Sequence, residues 1–348
     1  MNSDLKISIC IPQYNRINYL LRSLRMIESQ TYPNIEISIS DDCSTDATVE
    51  EIEKLSKTFK YPIVFERNER NMGYDRNYRK CIEMATGDYA FVIGNDDSIY
   101  GSESIAYLAK FLGENDHPDI GFCNMIEERT GGTFIKRAIN TIVLGTGTKV
   151  ALKNYSCFSF VGGLIYKRDT FLKYNTAKYD GSIYSQMYLG VYMIIKGATL
   201  FSLKEPLVLK DLLLDGVFRK GYRDTIAKKW SSYKVVDGGL PSVMNVLISA
   251  LRDGHVMNQQ HIFYIFRRMY SITYPHWILD YKENGALPEA MGLIVGLNPL
   301  RNDNFKLLNG VNRILIFIVY VLASIFALLM PVFIFKKLKQ HLYSFFKR

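Results

Sequence analysis

Apolar, β-branched runs recur along the first 115 residues, at Lys6–Ile11, Ile35–Ser40, Pro62–Arg67 and Tyr89–Ile93. Between them the apolar positions take helical spacing: Leu20, Leu21, Leu24 and Ile27 within Tyr19–Ser29, then Val49, Ile52, Leu55 and Phe59 within Ala47–Phe59. Tyr74–Ala85 and Glu103–Leu112 continue the alternation. Strand and helix in turn predict βαβ units, hence an α/β fold with a mostly parallel, Rossmann-like sheet flanked by helices. Asp119–Asn124, Phe160–Lys167 and Ala198–Leu203 read as further strands. Gly131-Gly132 reads as the turn of a hairpin between Met125–Thr130 and Thr133–Arg137. From about residue 220 the pattern becomes helical, Asp224 to Leu308, and Ile262, Phe263, Phe266 and Met269 form a packing stripe. The expected divisions are 1–215 for the α/β domain, 216–312 for a helical region and 313–348 for a membrane-associated helix with a basic tail.

Charge changes this picture at one end only. The chain carries +9 over 348 residues, but +7 of it falls from Arg301 onward, where eight Lys and Arg face the single Asp303. That excess flanks Ile314–Phe335, 22 positions without a charged residue, long enough as one helix to cross about 33 Å. Basic clusters beside such a run suit anionic lipid head groups, so membrane lipids, and no nucleic acid, are the expected partner. Pro331 could let the segment bend or lie at the interface instead of spanning. Five cysteines, odd in number and without C-x-x-C, argue against a disulfide framework or a structural zinc. The N-terminus shows no secretory pattern, and a reducing, cytosolic setting is expected.

In an open α/β sheet, ligands bind at the carboxyl ends of the strands. There the chain places Pro12-Gln13-Tyr14-Asn15, then Asp41-Asp42-Cys43-Ser44-Thr45-Asp46, then Gly94-Asn95-Asp96-Asp97. Acidic pairs ending two strands of one sheet repel unless a cation neutralises them, which points to Mg²⁺ or Mn²⁺ bridging phosphates. Helix capping by Asp41, Asp42, Ser44 and Asp46 is the plainer account of one pair alone. Neither the dinucleotide G-x-G-x-x-G after the first strand nor a P-loop is present.

These segments resemble the family-2 glycosyltransferases. Ile7 to Asn15, Gln30-Thr31-Tyr32-Pro33-Asn34 and Ser40 to Asp46 match the family's opening. Asn71-Met72-Gly73-Tyr74-Asp75-Arg76-Asn77 matches its N-x-G-x-x-x-x-N segment, and Ala85-Thr86-Gly87-Asp88-Tyr89 through Asp97 its strand into the metal-binding D-x-D. The resemblance implies a GT-A fold and inverting transfer from a nucleotide-diphosphate sugar, UDP- or dTDP-linked, in bacterial surface polysaccharide assembly. By position, Pro12, Tyr14, Asn15 and Asp41, with Asp42 beside them, would hold the nucleoside, and Asn71, Arg76 and Asn77 the diphosphate and sugar side. Asn95 and Asp96 would complete the donor site, with Asp96 and Asp97 holding Mn²⁺ or Mg²⁺. Gly94 replaces the first Asp of D-x-D.

The acceptor hydroxyl needs a general base. The family's Glu-Asp pair falls here on Ser185-Gln186, neither of which can serve, and Asp180 is the nearest carboxylate. An ordinary turn aspartate before Gly181 is the competing account. The expected acceptor is a glycan, lipid-linked, at the cytoplasmic face of a bacterial inner membrane. A membrane-attached sugar nucleotidyltransferase and an inactive glycosyltransferase-like scaffold are the alternatives.

Overall fold

The computed structural model describes residues 5–214 and 240–346, the side chains of 134–135 and 340–346 apart. Residues 224–239 of the expected helical region, and Lys347 and Arg348 of the basic tail, lie outside the described residues. By its internal contacts the chain forms two units, Met1–Gly181 with Met193–Arg219, and Ser182–Tyr192 with Lys220–Arg348.

The first unit is built on one mixed sheet. β1 (Ile7–Gln13), β2 (Ile35–Asp41), β3 (Ile63–Arg67) and β4 (Tyr89–Val92) run parallel in the order β3-β2-β1-β4. Their apolar runs are continuous because β1, β2 and β4 are buried along nearly every residue. Helices α1 (Ile17–Ile27), α2 (Thr48–Leu55) and α3 (Tyr74–Met84) form the connections, with α3 packed on β1 and β2.

The expected mostly parallel sheet is corrected beyond β4. After β5 (Ser98–Ile99) and α4 (Ser104–Glu114), β6 (Ile120–Glu127) opens the second half. β7 (Thr133–Ile135) returns against it through the Gly131 turn, then β8 (Ile142–Gly145) and α5 (Thr148–Asn154) follow. β9 (Leu164–Lys167) lies antiparallel between β4 and β6, and α6 (Arg168–Tyr174) follows it. After α7 (Ser185–Ile195), the 11-residue β10 (Leu200–Lys210) pairs parallel with β6 and antiparallel with β5 and β8, shifting register around Pro206. Five of the nine strand pairings among the described residues are thus antiparallel.

The second unit holds α8 (Leu240–Asp253) and α9 (Gln259–Arg268), which continues through a π turn, Met269–Thr273, into α10 (Tyr274–Glu283). α11 (Leu287–Gly296) follows, then α12 (Gly310–Leu329) and α13 (Val332–Phe346). The uncharged run Ile314–Phe335 is carried by two helices, interrupted at Met330 and Pro331, because proline supplies no amide to carry the helix through. Nor does 313 mark a division. Ile316, Tyr320, Ser324 and Ala327 of α12 are buried, Tyr274 and Ser324 share a 2.7 Å hydrogen bond, and the Tyr320 hydroxyl donates to the Ile294 carbonyl at 2.7 Å.

Candidate active site

Three loops leave the carboxyl ends of β1, β2 and β4 on one edge of the sheet, and side chains from each tie the others down. After β1, Asn15 and Arg16 both take left-handed backbone conformations, φ 52° and 61°, a costly arrangement for residues with a Cβ. The loop after β2 stabilises it. Thr45 N donates to Asn15 Oδ1 at 2.9 Å, Asn15 N donates to Ser44 Oγ at 2.7 Å, and Ile17 N donates to Asp46 Oδ2 at 2.9 Å. Asp46 also accepts from Thr48 N at 3.1 Å, so it caps both α1 and α2. For Asp46 the capping account holds.

The other aspartates do different work. Asp41 is fully buried, accepts from Ser44 N at 3.0 Å and from Ser44 Oγ, and faces Arg67 Nε at 3.5 Å. Asp42 is buried too, and both of its oxygens are occupied by the segment before α3. Asn68 Nδ2 and Met72 N donate to Oδ1 at 2.9 and 2.7 Å, and Gly73 N donates to Oδ2 at 3.0 Å. Asn71 folds the same segment by accepting from Gly73 N at 3.0 Å. Asn77 Nδ2, buried, donates to the Gln13 carbonyl at 3.0 Å and fastens α3 to the end of β1. Pro12 is half-buried, whereas the Tyr14 ring is 45% exposed.

Asn95 Nδ2 donates to Gln13 Oε1 at 3.0 Å and to the Tyr14 carbonyl at 3.3 Å, joining the β4 loop to the β1 loop. Asp96 is partly exposed and pairs with Arg16 through Oδ2 at 2.5 Å. Asp97 is buried. Asp211 N donates to its Oδ1 at 3.0 Å, and Lys210 Nζ stands 3.6 Å from the same atom. Burial pushes the Asp97 carboxyl above its ordinary value against the pull of the Lys210 ammonium.

Gly94 explains the altered D-x-D. A Cβ there would lie 2.9 Å from Asp97 Oδ2 and 3.1 Å from Asp96 Oδ1, and a Cβ at Gly162 would lie 3.0 Å from Asp97 Oδ2. A side chain at 94 would therefore require the Asp97 carboxylate to shift. Among the described residues no three His, Cys, Asp or Glu side chains group as a complete metal cage. One or two carboxylates with an amide neighbour, open to substrate phosphate and water, fit the habits of Mg²⁺ and Mn²⁺, which seldom take an all-protein shell.

Two expected residues sit in an ion-pair network on α3. Arg76 Nη1 meets both oxygens of Glu83, at 2.8 and 2.7 Å. Asp180 receives both arms of the buried Arg79, Nε at 2.9 Å and Nη2 at 2.5 Å, while Arg79 Nη1 reaches Glu83 and Asn175. Beside α3, Arg67, Arg70, Arg76 and Lys80 line a groove of about 580 Å³, with Asn68, Glu69 and Met72 completing its wall.

Gln13, Arg16, Arg79 and Lys210 were not legible as site residues. Gln13 is a buried hub: its amide nitrogen donates to the Asn15 carbonyl and to Thr48 Oγ1, its oxygen accepts from Asn95. Its place directly after Pro12 at a strand end was the available signal. Lys210 ends β10 beside the β4 loop, a neighbourhood that only the long-range strand order creates.

Comparison with known proteins agrees with this geometry. The chain is 28% identical over 250 residues to the abequosyltransferase RfbV of Salmonella typhimurium strain LT2, covering 66% of this chain and 71% of that protein. A crystal structure of S. aureus TarS residues 1–349 with UDP-GlcNAc superposes with a TM-score of 0.60 at 17% identity, covering 92% of this chain and 91% of that one. The mannosyltransferase PcManGT of Pyrobaculum calidifontis, in complex with GDP-Man and Mn²⁺, gives 0.54 at 14% identity, covering 93% and 87%. The family model "Glycosyl transferase family 2" matches residues 8–175, which span β1 to the end of α6 and hold the loops after β1, β2 and β4, but neither Asp180 nor the segment after β10. The protein is thus a glycosyltransferase, and its residues 8–175 form a domain of glycosyl transferase family 2.

Proposed function

We propose that the protein transfers a sugar, with inversion, from a UDP- or dTDP-sugar to a hydroxyl of a lipid-linked glycan at the cytoplasmic face of a bacterial inner membrane. One observation carries the donor half: buried Asp41, the strained Asn15 turn and partly exposed Asp96 meet at one sheet edge beside a groove lined by four cations. Asp41 and Asn15, flanked by Pro12, would meet the nucleoside, with the exposed Tyr14 ring available to stack on its base. Asp42, Asn71 and Asn77 would act by shaping the segment that faces the diphosphate. Arg76 would turn toward that diphosphate from its place at the groove.

Asp96, with Asn95 and Asp97 beside it, would hold Mg²⁺ or Mn²⁺. When bound, the cation supplies Lewis-acid stabilisation of the negative charge on the leaving diphosphate. Asp180 is the carboxylate assigned as general base, held in direction by Arg79. The relative named abequosyltransferase supports sugar transfer over nucleotidyl transfer. TarS bound to UDP-GlcNAc and PcManGT bound to GDP-Man support a nucleotide-sugar donor.

The test is a thermal-shift screen of the full chain against UDP-, dTDP-, GDP- and CDP-sugars with Mn²⁺ or Mg²⁺, followed by product analysis. A ligand at 100 times its dissociation constant adds about 2.7 kcal/mol of stability. Asp96→Ala is expected to keep the fold, lose the metal-dependent part of that shift and abolish transfer. Full transfer by Asp96→Ala, or by the wild type in EDTA, would remove the metal from the mechanism. Release of a nucleoside monophosphate adduct instead of a glycoside would favour the nucleotidyltransferase.

A further inference from the structure

From Ile314 onward α12 carries no charged residue, and an 18-residue stretch of it has mean hydropathy 2.3, yet it is packed on one side only. Its buried residues, Ile316, Tyr320, Ser324 and Ala327, and its most exposed apolar ones fall on opposite sides of the helix. At 100° per residue, Val311, Ile318 and Ile325 form one row and Leu315, Leu322 and Leu329 the next, with Ile314 and Phe326 at the margins, together a sector roughly 120° wide, centred opposite the buried residues. Leu329 is 76% exposed and Leu322 61%. A bare apolar face of this length, about 27 Å, calls for a partner.

The packed side decides which kind. α12 lies along α9, the π turn and α10. Those companions carry the exposed Arg267 and Ser271 between the two ends of α12, which a crossing of the bilayer by α12 would draw into hydrocarbon. The end of α12 is closed by Lys282 Nζ, which donates to the carbonyls of Ala327, Leu328 and Met330 at 2.8, 2.6 and 2.9 Å. α13 turns back onto the same helices, where Lys339 Nζ pairs with Asp280 and Glu283, each at 2.7 Å. Exposed cations stand at both ends, Arg301 and Lys306 before the helix with Arg313 in its first turn, and Lys336 and Lys337 after it. Basic clusters at both ends suit one anionic surface, whereas a span would send one cluster to each side.

We infer that α12 seats the protein in one leaflet, lying in the plane of an anionic lipid bilayer with its outward rows in the acyl boundary and both basic clusters among the head groups of that same leaflet. Membrane attachment itself rests on the proposed function; the seat, its residues and its in-plane mode go beyond it. Polar companions behind and apolar rows in front make a helix that can enter a surface but not pass through it.

The test adds full-length protein to preformed vesicles of phosphatidylcholine, with or without phosphatidylglycerol, and follows flotation, then external trypsin. Binding is expected to be at least about tenfold tighter on the anionic vesicles and to weaken with salt. Leu322→Glu with Leu329→Glu should lower bound protein at least about tenfold, with unchanged helical circular dichroism and unchanged transfer to a water-soluble acceptor. Trypsin should cut at both Arg313 and Lys336–Lys337 in bound protein. Protection of one of these ends would show a span and overturn the proposal. So would a wild type that ignores vesicles and sediments as a dimer dissociated by the double variant, since a second copy would then cover the face. Flotation with no sugar transfer to any acceptor would leave the seat standing and sink the proposed function instead.

Discussion

At Gly94, where the family's first metal-site aspartate stands, a Cβ would press against the carboxylates of Asp97 and Asp96. Restoring an aspartate is therefore expected to weaken the site. Gly94→Ala should cost on the order of 1–3 kcal/mol by overpacking, seen as a lowered thermal transition, and Gly94→Asp should lower turnover without tightening Mn²⁺ in a titration. Unchanged stability in Gly94→Ala would mean that Asp97 moves aside freely. Asp180 offers a second decision at this scale. As the base, Asp180→Asn should depress turnover by about 10²–10⁴, with donor binding preserved. As a brace for Arg79 alone, it should lower the thermal transition, with turnover near normal once folded. Asp41, Asp42, Asp96 and Asp97 were legible because acidic pairs at two strand ends form a local pattern. Arg16 on Asp96 and Arg79 on Asp180 were not, since their partners stand 80 and 101 positions away and opposite charges leave no spacing signature.

Elements show the same division between local and distant information. The parallel strands and their helices follow from runs and periods that a ten-residue window contains, and β1 to β4 fall within two residues of their expected bounds. The place of β9 between β4 and β6 depends on pairing across some 40 to 75 positions, so an alternating pattern alone predicts parallel continuation where the sheet turns antiparallel. On β2, Glu36 shows how the parallel half is fastened away from the site. Lys6 Nζ meets its Oε2 at 2.5 Å, and Ser8 Oγ and Thr86 Oγ1 donate to it at 2.7 and 2.6 Å. Burial works to raise this carboxyl, but Lys6 and the hydrogen bonds of Thr86 and Ser8 outweigh it and hold its pKa at about 2, below the ordinary 4.5. A carboxylate depressed in the fold stabilises it fully above the unfolded value. That contribution, on the order of 3 kcal/mol, should disappear as pH falls from about 4.5 to about 2. Denaturant titrations across that window should show a steeper loss for the wild type than for Glu36→Gln, and parallel curves would place the acid sensitivity elsewhere.

For the whole molecule, removing residues 313–348 is expected to do more than detach a tail. The deletion takes Ile316, Tyr320, Ser324 and Ala327 out of the second unit and uncovers Tyr270 and Tyr274, both now buried. Limited proteolysis of the truncated chain should cut within 240–312 while the first unit resists. A resistant 240–312 segment would show that the second unit folds without α12. Charge was legible at this scale, since the basic excess and the uncharged run are properties of composition. That the run ends a packed helical unit was not, because an apolar residue facing lipid and one facing a protein core are the same letter.

The cysteines carry a practical consequence. Cys10, Cys81, Cys123 and Cys157 are buried, and only Cys43 is half-buried, in a left-handed turn between Asp42 and Ser44, with its sulfur 3.4 Å from Arg67 Nη2. The folded chain therefore presents one alkylatable thiol, and it stands at the lip of the proposed donor site. A maleimide dye should attach once per molecule, and its attachment rate becomes a gauge of occupancy: nucleotide seated over the end of β2 should slow it in a saturable way, giving donor affinity without any acceptor in hand.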